Sequence, residues 1–490
     1  MANDSIKLCD HAGSSNSLMP SIQSELQGLF SWISKAAHAF FNHPLGLKIP
    51  CLPCGGLHPL TSLAAAVMAL ALLPAAPAVA TEATLYVFPE SGQTGYYPTG
   101  TLCRDANGVL YGTTFLGGAY NQGNVFKLTP PAPGRTNWAI SVLYDFHGGN
   151  DGGAPFGGVV MDANGTLYGT AYAGGVNNEG VVFKLTPPGP GHPTWTKTVL
   201  HNFSYDWVYK IHDGASPCSG LIMDASGALY GTTIGGGATN QFGYGYGTVF
   251  KLSPPAPGKS TWTEKVLYYF AGGADGQSPS SGLTIDSTGA LYGTTHYGGG
   301  GTCQDGWGNV VGCGTVFKLT PPGAGKATWT ETVLHRFSGS PDGGLPGGTL
   351  RLDASDALYG TTYRGGTADG GTVFKLSPPA AGQIAWTASI LHSFTGPEGA
   401  GPQGGVIADA AGRLYGAASG GGAGYGVVFR LSPPVPGQIA WAEAVLHNFD
   451  ILTSGDNPAY GLVADAQGHF FGTAYYGGTG LGGTVFEVTP

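Results

Sequence analysis

The stretch Ala228-Leu229-Tyr230-Gly231-Thr232-Thr233, with Gly247-Thr248-Val249-Phe250-Lys251-Leu252 after it, decides the fold because it keeps returning. Leu-Tyr-Gly stands at 110–112, 167–169, 229–231, 291–293, 358–360 and 414–416, and Phe-Phe-Gly takes the seventh place at 470–472. The tyrosines, with Phe471 as the last of the series, lie 57, 62, 62, 67, 56 and 56 residues apart. Self-similarity at a fixed period of this size marks a repeat architecture. Each unit carries four runs rich in β-branched and aromatic residues and bounded by Gly, Pro, Asp or Ser, which reads as four strands. In the third unit they are Ser219–Asp224, Ala228–Thr233, Gly247–Leu252 and Thr261–Phe270. Four antiparallel strands repeated radially make a β-propeller.

The phase of the repeat predicts how the ring closes. Thr84-Leu85-Tyr86-Val87-Phe88 matches the outermost strand of a unit, and Thr484-Val485-Phe486-Glu487-Val488 matches the third. The last unit therefore lacks an outer strand, which residues 82–88 supply, leaving no open edge. The expectation is an all-β, seven-bladed propeller over 82–490. Its blades fall at about 98–146, 155–203, 217–270, 279–337, 346–394, 402–449, and 458–490 plus 82–88.

Composition agrees. The chain has 490 residues, of which 87 are Gly and 35 Pro, too many for a helical bundle or coiled coil. Hydrophobic residues make up 42%, enough for large cores and too many for a disordered chain. Twenty cations against 29 acids give a net charge of −9, which excludes the basic face a nucleic-acid partner requires.

Residues 1–80 read as a leader. The apolar run 63–73 (LAAAVMALALL) has the length of a signal-peptide h-region and is followed by the small-residue site Ala78-Val79-Ala80. It is too short to span a membrane comfortably, and no other apolar stretch approaches about 20 residues. The expectation is export, to the cell surface, periplasm or medium, as a monomer with no integral span. The 62 residues upstream read as an extended leader or as a start assigned too early, with Met19 as the alternative; a structural helix is the duller reading. Of seven cysteines, Cys303 and Cys313 share one loop with nine residues between them and are expected to pair, as export permits. Cys103 and Cys218 stand at different repeat positions and are expected to be free and buried.

The series LYGTT–GG–GTVFKL–PP, with the DxxG turn before it and the VLHxF strand after it, resembles the GloVer tandem repeat of choice-of-anchor proteins. The resemblance covers essentially 82–490 and implies an exported, propeller-like repeat protein. The carboxy-terminal anchoring segment common in that family has no counterpart before Pro490.

Binding residues concentrate on loops held by a rigid scaffold, and here the second-to-third-strand and outer-to-inner loops are the long, variable ones. They open on one face. Its aromatic and non-repeating residues, Trp207, Tyr209, Tyr246, His296, Tyr297, Trp307 and Arg364, are the ligand-binding candidates, with rings suited to a sugar or peptide. The acids Asp151, Asp213, Asp275, Asp342, Glu398 and Asp456 recur in the outer-to-inner loops. A seven-fold ring would gather them near the channel mouth, where a hard cation such as Ca²⁺ would be the cofactor; Asp-Gly is also a plain turn dipeptide. His201, His335, His392 and His447 share one repeat position and read as scaffold. No nucleophile elbow, HExxH pair or phosphate loop is present, so no catalytic residue is assigned. The leading expectation is a secreted, non-enzymatic scaffold binding a glycan, peptide or envelope component. The alternative is an extracellular carbohydrate-active or lactonase-like enzyme with its site on the same face.

Overall fold

The computed structural model describes residues 80–490 except 207–210, 238–244 and 306–307. Residues 1–79, where the leader and h-region are expected, and Trp207, Tyr209 and Trp307 among the binding candidates, thus lie outside the described residues. Seven antiparallel blades follow one another along the chain, six of four strands and the fifth of five, because its inner strand is split into Gly344–Pro346 and Arg351–Leu352. Blade 1 comprises Tyr96–Arg104, Leu110–Leu116, Asn124–Thr129 and Ala139–Asp145, numbered from the axis outward, and blades 2 to 6 repeat that order. In blade 7, Val463–Ala464, Phe470–Ala474 and Leu481–Thr489 are joined on the outside by Thr81–Pro89, with Thr81 opposite Thr489 and Thr84 opposite Phe486. The amino-terminal strand closes the ring as its phase predicts. A short hairpin, Tyr205–Asp206 with Ile211–His212, stands between blades 2 and 3. Among the described residues no helix is long and apolar enough to cross a membrane.

The repeat motif is a packing rule. A Cβ on Gly231 would lie 2.7 Å from the ring of Phe250 on the neighbouring third strand, so that position admits only glycine. The Phe ending each outer strand then meets the third-strand Phe of the next blade edge-on. The ring centroids of Phe88–Phe126, Phe146–Phe183, Phe203–Phe250, Phe270–Phe317, Phe337–Phe374, Phe394–Phe429 and Phe449–Phe486 lie 4.9–5.2 Å apart. Those contacts run once round the molecule and return. Each hydrophobic cluster joins two blades, as where Leu143 and Phe146 of blade 1 pack with Leu167 and Phe183 of blade 2.

One expectation needs correction. The innermost strands are mostly two residues long, as in Ile222–Met223, against the six of Ser219–Asp224. Their first halves leave the ladder because neighbouring blades meet there backbone to backbone. A Cβ on Gly157 would sit 2.4 Å from the carbonyl oxygen of Ser219, and one on Gly405 would sit 2.2 Å from that of Thr349. The first threonine after Leu-Tyr-Gly bridges to this ring, with Thr170 donating to the Ser219 carbonyl (3.0 Å) and Thr361 to that of Gly404 (2.8 Å).

Candidate functional site: the channel mouth and the blade rims

Most repeated polar residues are consumed by the scaffold. In blade 3 the turn aspartate Asp224 accepts hydrogen bonds from the Ser226 and Ala228 amides and from the Tyr230 hydroxyl (2.8, 3.0 and 2.9 Å). Burial works to raise its carboxyl, but the hydrogen bonds from Ser226, Tyr230 and Ala228 outweigh it and hold it below its ordinary value. The Lys251 ammonium lies over the Tyr230 ring, 5.0 Å from its centroid. Lys318 and Lys375 repeat this over Tyr292 and Tyr359.

The outer-to-inner acids are tied to the outer strands and do not gather at the channel mouth, which corrects the expected ring. Asp151 and Asp275 accept from the hydroxyls of Tyr144 and Tyr268 (2.9 and 2.7 Å). Asp213, Asp342 and Glu398 face His201, His335 and His392 at 2.9, 3.1 and 3.8 Å. In blade 6 the equivalent partner of His447 is the Ser454 hydroxyl (3.1 Å), so Asp456 is not part of the series. Each acid also binds the loop backbone, as Asp342 does through the Ser338 amide (3.1 Å). Their repetition is therefore turn chemistry joined to a Tyr or His clamp.

At several rims the next blade's outer strand brings a further glutamate against that clamp. Glu264, Glu331 and Glu443 are all pushed up to about 7, chiefly by burial. An Oε1 of each is closed to solvent and bonds nothing among the described residues.

Along the axis the inner strands enclose a cavity of 870 Å³. Second strands end and inner strands begin at the same end of the sheet, as the pairing of Tyr96 with Leu116 shows. The mouth at that end is chemically lopsided. Tyr460 stands where the other blades carry Gly100, Gly157, Ser219, Ser281, Gly348 and Gly404. Its ring meets Phe156 edge-on (5.9 Å), Phe156 in turn meets Phe115 (5.8 Å), and burial raises its hydroxyl pKa. Beside it Tyr97 stacks on Tyr475 (5.0 Å, 17° between planes) and touches Tyr96 and Tyr476 edge-on. Tyr476 is 42% exposed. Blades 7, 1 and 2 thus hold an aromatic side, while Ser280, Gly347 and Gln403 line the other.

The described binding candidates are dispersed over blades 3 to 5. His296 lines the mouth with its Nδ1 on the Pro346 carbonyl (3.3 Å), and burial lowers its pKa against that bond. Tyr297 packs edge-on against it (4.6 Å). Tyr246 is half-buried against the core between blades 3 and 4 and has become packing. Arg364 is exposed and ion-paired with Asp369 (3.0 Å). The disulfide Cys303–Cys313 is formed, and Cys103 and Cys218 are free and partly buried. Sequence reading missed Tyr96, Tyr97, Phe156, Tyr460 and Tyr476. A large ring at 460, where other copies have Gly or Ser, was the available signal.

Seven repeated antiparallel blades round a lined channel define the class: a tandem-repeat β-propeller. Within it, the chain belongs to the Gloeobacter/Verrucomicrobia repeat family, whose model matches residues 74–307 and again 301–490. No curated protein matches the sequence. Solved structures with a similar fold include a protein provisionally assigned as a gluconolactonase (13% identity, TM-score 0.36, 84% of this chain and 92% of that one). A second is an oxidoreductase of Thermus thermophilus, provisionally assigned as a glucose dehydrogenase (13%, 0.40, 84% and 100%). A third is a glucose dehydrogenase (13%, 0.37, 84% and 99%). At these values the likeness carries no argument about activity.

Proposed function

We propose that the chain is an exported, non-enzymatic binding propeller that takes a glycan on the tyrosine side of its channel mouth. The observation carrying this reading is the cluster Tyr96, Tyr97, Tyr475 and Tyr476, set on one arc of an otherwise seven-fold scaffold. Aromatic faces with polar edges suit the flat, hydroxyl-rimmed surface of a sugar. Among the described residues no carboxylate or imidazole hydrogen-bonds these four; Tyr96 donates to Asn121 (2.8 Å). The h-region at 63–73 and the Cys303–Cys313 disulfide support export.

The test is a panel of soluble polysaccharides assayed for binding and for product release. Tyr97→Ala with Tyr475→Ser copies Ala154 of blade 2 and Ser419 of blade 6, and Ala154 has the same left-handed backbone as Tyr97 (φ 53° and 59°). That variant should keep the fold and lose at least tenfold in affinity, while Ile384→Ala at the opposite end changes nothing. Undiminished binding by the double variant would refute the assignment of this arc, and product release would refute the non-enzymatic reading.

A further inference from the structure

Among the described residues, the rim between blades 2 and 3 carries one carboxylate more than the rim between blades 1 and 2, and no ammonium. At the first rim, Lys197 on the outer strand of blade 2 reaches back to blade 1. Its ammonium donates to the Asp151 carboxylate (2.8 Å) and to the Asp151 backbone carbonyl. Glu264 holds the same place on the outer strand of blade 3, since Lys197 lies opposite Leu185 and Glu264 opposite Leu252. Asp213 holds the place of Asp151, and His201 that of Tyr144. Where the described residues of the first rim give one carboxylate, an ammonium and the exposed imidazole of His147 (3.2 Å from Asp151), those of the second give two carboxylates and an imidazole.

Ligand atoms of His201, Asp213 and Glu264 all lie within 4.8 Å of one another, the one such group among the described residues. Asp213 is already oriented, because its Oδ1 accepts from the Ser204 amide (2.7 Å) and hydroxyl (3.1 Å), leaving Oδ2 on His201 Nε2 (2.9 Å). Glu264 Oε1 is shut off from solvent and makes no hydrogen bond among the described residues. We propose that these three residues bind a divalent transition cation, with zinc as the reference ion, and so clamp blade 2 to blade 3. One imidazole nitrogen with two carboxylate oxygens is a zinc-type donor set, whereas calcium prefers oxygen alone. Tetrahedral zinc ligands stand about 3.3 Å apart, so small shifts suffice. The ion's two charges neutralise the two carboxylates, as Lys197 neutralises Asp151.

The experiment is zinc titration of the full chain by calorimetry, with melting temperatures in chelator and in zinc. Wild type should take up zinc and melt several degrees higher with it. Glu264→Gln should lose one equivalent, as should His201→Tyr, which copies Tyr144 and Tyr268 and guards against misfolding of the first variant. Glu264→Lys, which copies Lys197, should lose that equivalent too and melt in chelator at least as high as zinc-loaded wild type. Absence of uptake by wild type, or an unchanged stoichiometry in both Glu264→Gln and His201→Tyr, overturns the site.

Discussion

Phe250 occupies the space over Gly231 within its own blade and receives Phe203 from the blade before it, so a single side chain joins two sheets. Both rings are fully buried. Truncating Phe250 opens a cavity at a blade interface that neighbouring strands cannot collapse into, at a cost of about 3–5 kcal/mol. The Tyr230 hydroxyl, by contrast, donates to Asp224 at a partly exposed turn beside Lys251, and Tyr230→Phe should cost about 1 kcal/mol. Blade 7 already carries Phe471 there, with His469 paired to Asp465 at 3.0 Å instead. Unfolding midpoints in urea should therefore fall far more for Phe250→Ala than for Tyr230→Phe. Equal losses would mean that the Asp–Tyr clamps, and not the phenylalanine contacts, hold the blades.

Outer strands carry groups that make stability depend on pH. Glu331 meets Asp275, with Arg336 opposing, and Glu443 meets Glu398 beside His392. Each carboxyl titrates at about 7 in the folded chain and near 4.5 when unfolded. Between those values the folded state holds the extra protons. The resulting stability is fully present below about 4.5 and is lost as pH rises through 7. His392 and His447 act in the opposite sense, since burial lowers their pKa and folding loses stability as pH falls. A comparison of wild type with Glu331→Gln/Glu443→Gln largely cancels the histidine contribution. The double variant should have the higher melting temperature at pH 8, with the advantage shrinking towards pH 5. A gap that stays constant across that range would show that the two glutamates are not protonated in the folded chain.

At the scale of the whole molecule, what is legible in the sequence is whatever repeats. The seven-fold period, the strand phase, the glycine under each phenylalanine and the scaffold histidines all recur at fixed spacing. The inner strands come out too long from sequence because ring packing at Gly157, Gly405 and their neighbours is a contact between blades, invisible within one copy. The mouth escapes sequence reading for the same reason. Tyr97 and Tyr475 lie at opposite ends of the chain and become neighbours only when the ring closes. Closure is thus the event on which both stability and the candidate site depend. Thr81–Pro89 covers the edge of Leu481–Thr489 and delivers Phe88 onto Phe126 of blade 1. Removing residues 1–89 would uncover a strand whose Val485, Phe486 and Val488 are fully buried, and it would leave an unpaired edge prone to association. The truncated chain should melt far lower, become protease-sensitive at blade 7, and oligomerise. Loss of the strand can be separated from loss of chain length by permutation. Thr81 lies opposite Thr489, so a short turn can join Pro490 to Thr81 and place the same strand last in a chain that begins near Gly92. That permutant should recover the melting temperature and the monomeric state, because the pairing is unchanged and only its covalent origin has moved. A truncation that melts like wild type would show that blades 1 and 7 hold together without the strand, and that the closing strand is incidental.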